Sequence, residues 1–351
     1  MVYKPHAISA SLRVKNLLVF LAALVVSLLG AELATRTAGF QPRVVTVNPF
    51  FTPGVNTTWS VPDPELGWIN KPGVAQAIGE DPAPMTFWDF GRRASRPDSA
   101  IPPGDRIPVM LVGGSDAQAY GVRDEDSFTY LLAQRYPNLW FENFGGGGYS
   151  TVQALLMAQR AYDTFYGANK PRLVLLTFSD SHAARNVSDQ VWVNSISDSE
   201  GRRISPPHYR LRAGTLEFRP FRIINDWPLE KRSAGLTLLH DRWLRSVAYN
   251  TADQAIPVTR RVLDQFVDFA AQKNMAFAAV VTEDYTQIGN AVFDGQPFPH
   301  KDCSGLERTN HAEYHIVGNN HPNKQLHAIL ADCIATWLDS EVLPKLSAKH
   351  P

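Results

Sequence analysis

Residues 107–121 read IPVMLVGGSDAQAYG: an unbroken apolar run, two glycines, a serine, then small residues. A continuous apolar run that stops at glycine has the pattern of a strand buried on both faces. The glycines permit a tight turn with accessible N–H groups, and Ser115 falls just past the carboxyl end of that strand. Such a serine has two readings. One is a turn residue or helix cap, the commoner fate. The other is a nucleophile, which requires a base within hydrogen-bond reach and donors for an oxyanion.

Outward from this stretch the pattern alternates. SFTYLLAQRY (127–136) has helical spacing, LWFENF (139–144) reads as a strand and TVQALLMAQRAYDTF (151–165) as a helix. RLVLLTF (172–178) is a third strand, MAFAAVVT (275–282) a fourth, and HPNKQLHAILADCIATWL (321–338) a closing helix. In PVTRRVLDQFVDFAAQKN (257–274), Val258, Val262, Leu263, Phe266 and Ala270 share one apolar face. Strands separated by helices imply βαβ units, and so a three-layer α/β/α fold around a parallel sheet. Binding groups in such sheets collect at the carboxyl ends of the strands. Residues 186–250 interrupt the rhythm as an insertion, within which HYRLRAGTLEFRP (208–220) suggests a hairpin around Ala213-Gly214. Residues 41–106, rich in proline, glycine and tryptophan, read as an extended lead-in to an α/β domain at 107–345.

The first 40 residues have a different character. NLLVFLAALVVSLLGA (16–31) carries no charge and follows Lys4, Arg13 and Lys15. A positive segment before an apolar one is a signal peptide or an uncleaved anchor. Cleavage after Ala34 or Ala31 places Glu32 or Leu29 at the third-last position, where a small residue is wanted, which favours a single-pass anchor. The expected location of the main domain is then periplasmic or extracellular. Lysine plus arginine and aspartate plus glutamate are 34 each, so no basic field exists to attract nucleic acid. In an oxidising compartment the two cysteines, Cys303 and Cys333, either pair or stay as buried thiols.

Polar residues gather at four element ends: Gly113-Gly114-Ser115, Asn143 to Gly148, Ser179-Asp180 with His182, and Asn319-Asn320-His321-Pro322-Asn323. In this order the segments resemble the SGNH/GDSL hydrolase superfamily, and more narrowly its membrane-anchored bacterial members with an ELGW lead-in, here at 65–68. The resemblance covers most of residues 60–340 and implies a flavodoxin-like serine esterase or acyltransferase fold. On it, Ser115 attacks an acyl carbonyl and His321 takes and returns the proton. Gly148 and the Ser115 amide hold the oxyanion, with Asn143, Ser179 and Asp180 as neighbouring binding groups. The implied substrate is an O-acyl carbohydrate, acetyl included, or another small ester, with no metal and no organic cofactor.

Three departures bear on activity. Gly114 replaces the aspartate beside the nucleophile, Ser179 stands where the family has asparagine, and no carboxylate precedes His321. Losing one oxyanion donor costs about 10²–10³ in rate in a well-studied protease. Asparagine in place of the orienting aspartate lowers turnover by about 10⁴ in the serine-protease template. Asn319 can offer its carbonyl oxygen instead, or Asp302, Glu307 or Glu313 can fold back. The alternative is a catalytically impaired relative that binds a glycan or a partner protein. His311, His315, His321 and His327 suggest a metal site, but the glutamate is not next to the first histidine as H-E-x-x-H requires.

Overall fold

The structure is a computed structural model, and it describes residues 10–45, 59–76, 83–101, 106–198, 200–247, 252–306, 311–318 and 321–349. The chain opens with α1 (Ala10–Thr37), followed by β1 (Ser60–Asp63), β2 (Gly67–Asn70), β3 (Gly73–Gln76), β4 (Pro84–Trp88) and β5 (Arg92–Arg93). The alternating part runs β6 (Ile107–Val112), α2 (Phe128–Arg135), β7 (Leu139–Asn143), α3 (Thr151–Thr164), β8 (Leu173–Ser179) and α4 (Ser181–Asn186). Next come α5 (Gln190–Ser195), β9 (Arg203–Ser205), β10 (His208–Arg212), β11 (Thr215–Arg219), β12 (Arg222–Ile224) and α6 (Ala234–Val247). The last stretch is α7 (Ala255–Gln272), β13 (Ala276–Glu283), α8 (Gly289–Phe293), β14 (His300–Asp302), α9 (His311–Tyr314), α10 (Lys324–Trp337) and α11 (Leu343–Lys349). These elements fall into two compact units, Met1–Val45 with Asn225–Ala248, and Thr46–Ile224 with Tyr249–Pro351.

The larger unit is built on an eight-stranded sheet of order β14-β13-β8-β6-β7-β5-β4-β3. From β14 to β7 all neighbours are parallel. Beyond β7 the sheet turns antiparallel, because β5, β4 and β3 come from the lead-in. The sheet is therefore mixed, not the purely parallel one the alternating pattern implies. The lead-in completes it as well as preceding it. Its short strands carry too little periodicity to be read in advance.

Side-chain alternation along the strands divides the core into two layers. Met110, Val112, Val174, Leu176 and Phe178 face Val152 and Leu155 of α3 and Val262 and Phe266 of α7. Val109, Leu111, Leu173 and Leu175 face Phe128 and Leu132 of α2 and Leu326, Leu330 and Ile334 of α10. All of these are at most 2% exposed, and each fully buried side chain of this size contributes about 1.5–3 kcal/mol. Helix α2, which follows β6, thus lies on one face, while α4 and α7, which follow β8, lie on the other. That reversal opens a crevice at the carboxyl ends of β6 and β8.

Helix α3 starts in a capping box: Ser150 Oγ accepts from the Gln153 amide at 3.2 Å, and Gln153 Oε1 accepts from the Ser150 amide at 3.0 Å. Between β10 and β11, Ala213 (φ 47°) and Gly214 (φ 81°) form the two-residue turn of a tight hairpin, as expected from the sequence. At the lead-in edge the fully buried Glu142 of β7 takes Arg92 at 2.9 Å and Arg96 at 2.7 Å, with the Trp140 indole N–H at 2.6 Å. Cys303 and Cys333 form a disulfide, which decides between the two readings of the cysteines.

Candidate active site

Ser115 sits on the turn that leaves β6, partly exposed among buried neighbours. The turn is held by backbone bonds from the Gln118 amide to Gly114 O (3.0 Å) and from the Tyr120 amide to Ser115 O (3.1 Å). Its glycines are required. A Cβ on Gly113 would lie 2.0 Å from Thr177 Oγ1, and one on Gly114 would lie 2.5 Å from His182 Nε2 and 3.1 Å from Asp116 Oδ1. The missing aspartate at 114 is thus explained by space: His182 and Asp116 occupy it.

The second glycine segment is clamped by the lead-in. Asn70 Nδ2 donates to Gly145 O at 2.9 Å and to Gly91 O at 2.8 Å, while its Oδ1 accepts from Gln118 Nε2 at 2.6 Å. The Trp68 indole donates to Gly147 O at 2.8 Å, and the Tyr149 hydroxyl donates to Trp68 O at 2.7 Å. This is what the ELGW stretch does: the Trp68 indole and carbonyl fix the second glycine segment. Gly148 has φ 72°, a conformation that favours glycine. Among the described residues neither the Ser115 amide nor the Gly148 amide is spent on a backbone hydrogen bond. Both remain available as oxyanion donors.

Asn143 takes a different place from the one expected of a binding group. It is fully buried, donates to Ala117 O (2.6 Å) and Thr129 Oγ1 (3.0 Å), and accepts from the Gly145 amide (2.8 Å). Its amide is consumed in tying the two glycine turns together. Ser179 ends β8 with its hydroxyl 2.5 Å from that of Ser181, and Asp180 accepts the Thr286 amide at 2.7 Å. Both lie at the crevice, yet their side chains serve neighbouring turns.

His321 approaches from the 311–323 segment. Its ring centroid is 4.7 Å from that of Tyr120, on the nucleophile turn, and its carbonyl accepts from the Ile316 amide at 3.0 Å. Ile316 in turn packs against Gly121, where a Cβ would meet Ile316 Cδ1 at 2.2 Å. The nucleophile turn and the histidine segment are therefore in contact. Asn323 caps α10, accepting from the amides of Gln325 (3.0 Å) and Leu326 (3.2 Å), and donates to Glu313 O at 2.8 Å. The His-Pro-Asn stretch is thus a helix start that presents the imidazole. Asn319, the candidate partner of the histidine, lies outside the described residues.

The electrostatics favour a neutral imidazole. Burial pushes His321 down to about 4, aided by Arg185 and His315 and opposed by Asp116. Burial also lowers His182 to about 4, again opposed by Asp116. Sequence reasoning missed this carboxylate. Asp116 is 2% exposed, its Oδ2 accepts the Thr282 hydroxyl, and its Oδ1 has no hydrogen-bond partner. His182 Nε2, which crowds the same Cβ position of Gly114, is also without a partner. Of the remaining histidines, His315 Nε2 is 2.7 Å from the Tyr285 hydroxyl, and His327 stacks on Phe128. Among the described residues no cluster of three His, Cys, Asp or Glu has the arrangement of a metal site.

No protein-family profile matches the chain, and no curated protein matches it in sequence. Solved structures do resemble it. An acetyl xylan esterase from Geobacillus stearothermophilus is 13% identical with TM-score 0.38, over 68% of this chain and 97% of that one. The psychrotrophic esterase EstA from a Pseudoalteromonas species is 13% identical with TM-score 0.36, over 66% and 99%. A member of the lipolytic G-D-S-L family from Veillonella parvula is 14% identical with TM-score 0.30, over 67% and 99%. The chemistry assigned below rests on this chain's own residues.

Proposed function

We propose that this chain is a serine-dependent ester hydrolase of the SGNH type. The observation that supports the reading is a partly exposed Ser115 on the turn whose Tyr120 ring lies 4.7 Å from the His321 imidazole, with the Ser115 and Gly148 amides uncommitted to backbone bonds. His321 Nε2 or Nδ1 removes the hydroxyl proton as Ser115 Oγ attacks the acyl carbon, and the Ser115 and Gly148 amides receive the negative oxygen. The imidazolium then gives its proton to the leaving oxygen, and an incoming hydroxyl releases the acyl group by the reverse sequence. Asp116, buried next to the nucleophile, supplies negative charge that offsets the imidazolium in the absence of a carboxylate at position 318 or 319.

A cleft of about 500 Å³ beside the histidine segment is lined by Arg123, Asp126, Glu313, His315 and Gln325 among others. Charged and amide side chains set beside Val122, Ile316 and Val317 suit the hydroxyls and apolar faces of a sugar, which supports an O-acyl carbohydrate as substrate, with water or a sugar hydroxyl as acceptor. An exported, membrane-anchored location is supported by the apolar N-terminal helix and by the disulfide, which belongs in an oxidising compartment. The test is hydrolysis of p-nitrophenyl acetate by the full chain in detergent. Ser115→Ala and His321→Ala are each expected to lower turnover by about 10³-fold or more with the fold retained. Equal background rates in all three proteins would instead identify a binding protein on a hydrolase scaffold.

A further inference from the structure

The smaller unit joins the apolar N-terminal helix to α6 in an unusual way. Residues 16–31 of α1 carry no charge and rise over about 24 Å, close to the hydrocarbon thickness of a bilayer. The first acid after this run, Glu32, accepts from the Ser233 hydroxyl (2.7 Å) and the amides of Ala234 (2.9 Å) and Gly235 (3.0 Å). A carboxylate of α1 is therefore the N-terminal cap of α6. Arg36 adds a bond to Arg232 O at 2.8 Å. Helix α6 begins at the depth where α1 leaves the apolar layer.

The exposed side of α6 has the composition of a membrane surface rather than of open water. Leu239 is 57% exposed and Trp243 is 49% exposed, one turn apart, and Leu229 just before the helix is 65% exposed. Arg242 is exposed next to them, and Arg245 is exposed on the opposite side of the helix from Trp243. Trp243 is not a loose side chain. Its ring lies 6.1 Å from Trp227, which stacks on His240 at 4.7 Å, and His240 Nδ1 is 2.7 Å from the buried Glu230. Rigid tryptophans with neighbouring arginines concentrate where headgroups meet acyl chains.

We propose that α6 lies in the headgroup layer of the membrane that α1 spans, with Leu239 and Trp243 against the acyl boundary and Arg242 and Arg245 at phosphate depth. The proposal rests on α1 being a retained anchor, and the hydrogen bonds of Glu32 are what connect the two. It does not depend on the hydrolase chemistry.

The test uses the full chain reconstituted into vesicles of phosphatidylcholine and phosphatidylglycerol whose acyl chains carry bromine. Tryptophan quenching by the brominated lipid is expected in the wild type, with most of it lost in Trp243→Phe. A fluorophore on Leu239→Cys, the native cysteines being paired, is expected to shift to the blue on reconstitution. If the chain floats with vesicles after alkaline extraction but Trp243→Phe quenches like wild type and the label reports water, the interfacial helix is refuted while the anchor stands. If the chain does not float, the anchor reading fails and this proposal with it.

Discussion

The two halves of the candidate site are held in opposite ways. The nucleophile turn is buried under the lead-in: Asn70 binds Gln118, and the fully buried Arg93 donates to Gln118 O at 3.0 Å and Val122 O at 2.9 Å while pairing with Asp124. The histidine arrives on a loop near the surface, with a four-residue helix, one isolated bridge between His315 and Pro322, and the Asn323 cap. The Cys303–Cys333 disulfide, 30 residues apart, encloses that loop. One half is thus fixed by packing and buried polar bonds, the other by a covalent staple and a helix start. The packed half is where most of the stability of the candidate site resides.

Four measurements test this contrast, taken in order of decreasing effect. Arg93→Met removes the partner of Asp124 and the N–H donors to the Gln118 and Val122 carbonyls from the packed half, and should cost about 3–5 kcal/mol in denaturant unfolding. A shift of less than 1 kcal/mol would mean that the lead-in does not secure the turn. Reduction of the disulfide should cost about 3–4 kcal/mol by the chain-entropy relation for a loop of this length. It should also reduce turnover before the protein unfolds, because the opened loop carries the base. Loss of stability with turnover per folded molecule unchanged would show that the loop needs no staple.

The pH dependence follows from the histidines. His182 and His321 are lowered to about 4 and His327 to about 3, all mainly by burial, against 6.5 for the free group. Between 6.5 and these values the unfolded chain takes up protons that the folded chain refuses. Stability is therefore complete above pH 6.5 and falls as the pH drops, by up to about 1.4 kcal/mol per pH unit for each histidine. Ester hydrolysis should persist below pH 6.5, with the acid limb of kcat/KM near pH 4 and the folded fraction measured in parallel. A limb at 6.5 would place His321 in water and not against Tyr120. Smallest in stability, Asn323→Ala removes the cap of α10 and should cost about 1 kcal/mol. Its effect on kcat should exceed its effect on stability, the reverse of Arg93→Met.

Much of this was legible in the sequence where a side chain's partner is its neighbour in the chain or the solvent pattern. The strands β6, β7, β8 and β13 are apolar runs bounded by breakers, the β10–β11 hairpin is marked by Ala213-Gly214, and Ser115 and His321 sit at element ends. What escaped was set by distant contacts. Nothing in the spacing of Trp68, Asn70 or Arg93 says that they fasten the two glycine turns, and Asp116 reads as one more turn acid until His182 is seen across Gly114. Asn143 was misleading for the same reason: an amide before a glycine run looks like a ligand donor, yet three buried partners already use it.

The cluster of Arg92, Arg96 and Glu142 has a practical consequence for where this gene is cut. A version trimmed to begin at the alternating segment would discard both guanidinium groups and leave a carboxylate walled into the sheet edge with only the Trp140 indole. Such an ion must take up a proton or draw water inward, and either response loosens the strand that leads to the glycine loop. An insoluble product from that cut would report a missing counter-charge and say nothing about what the intact chain does.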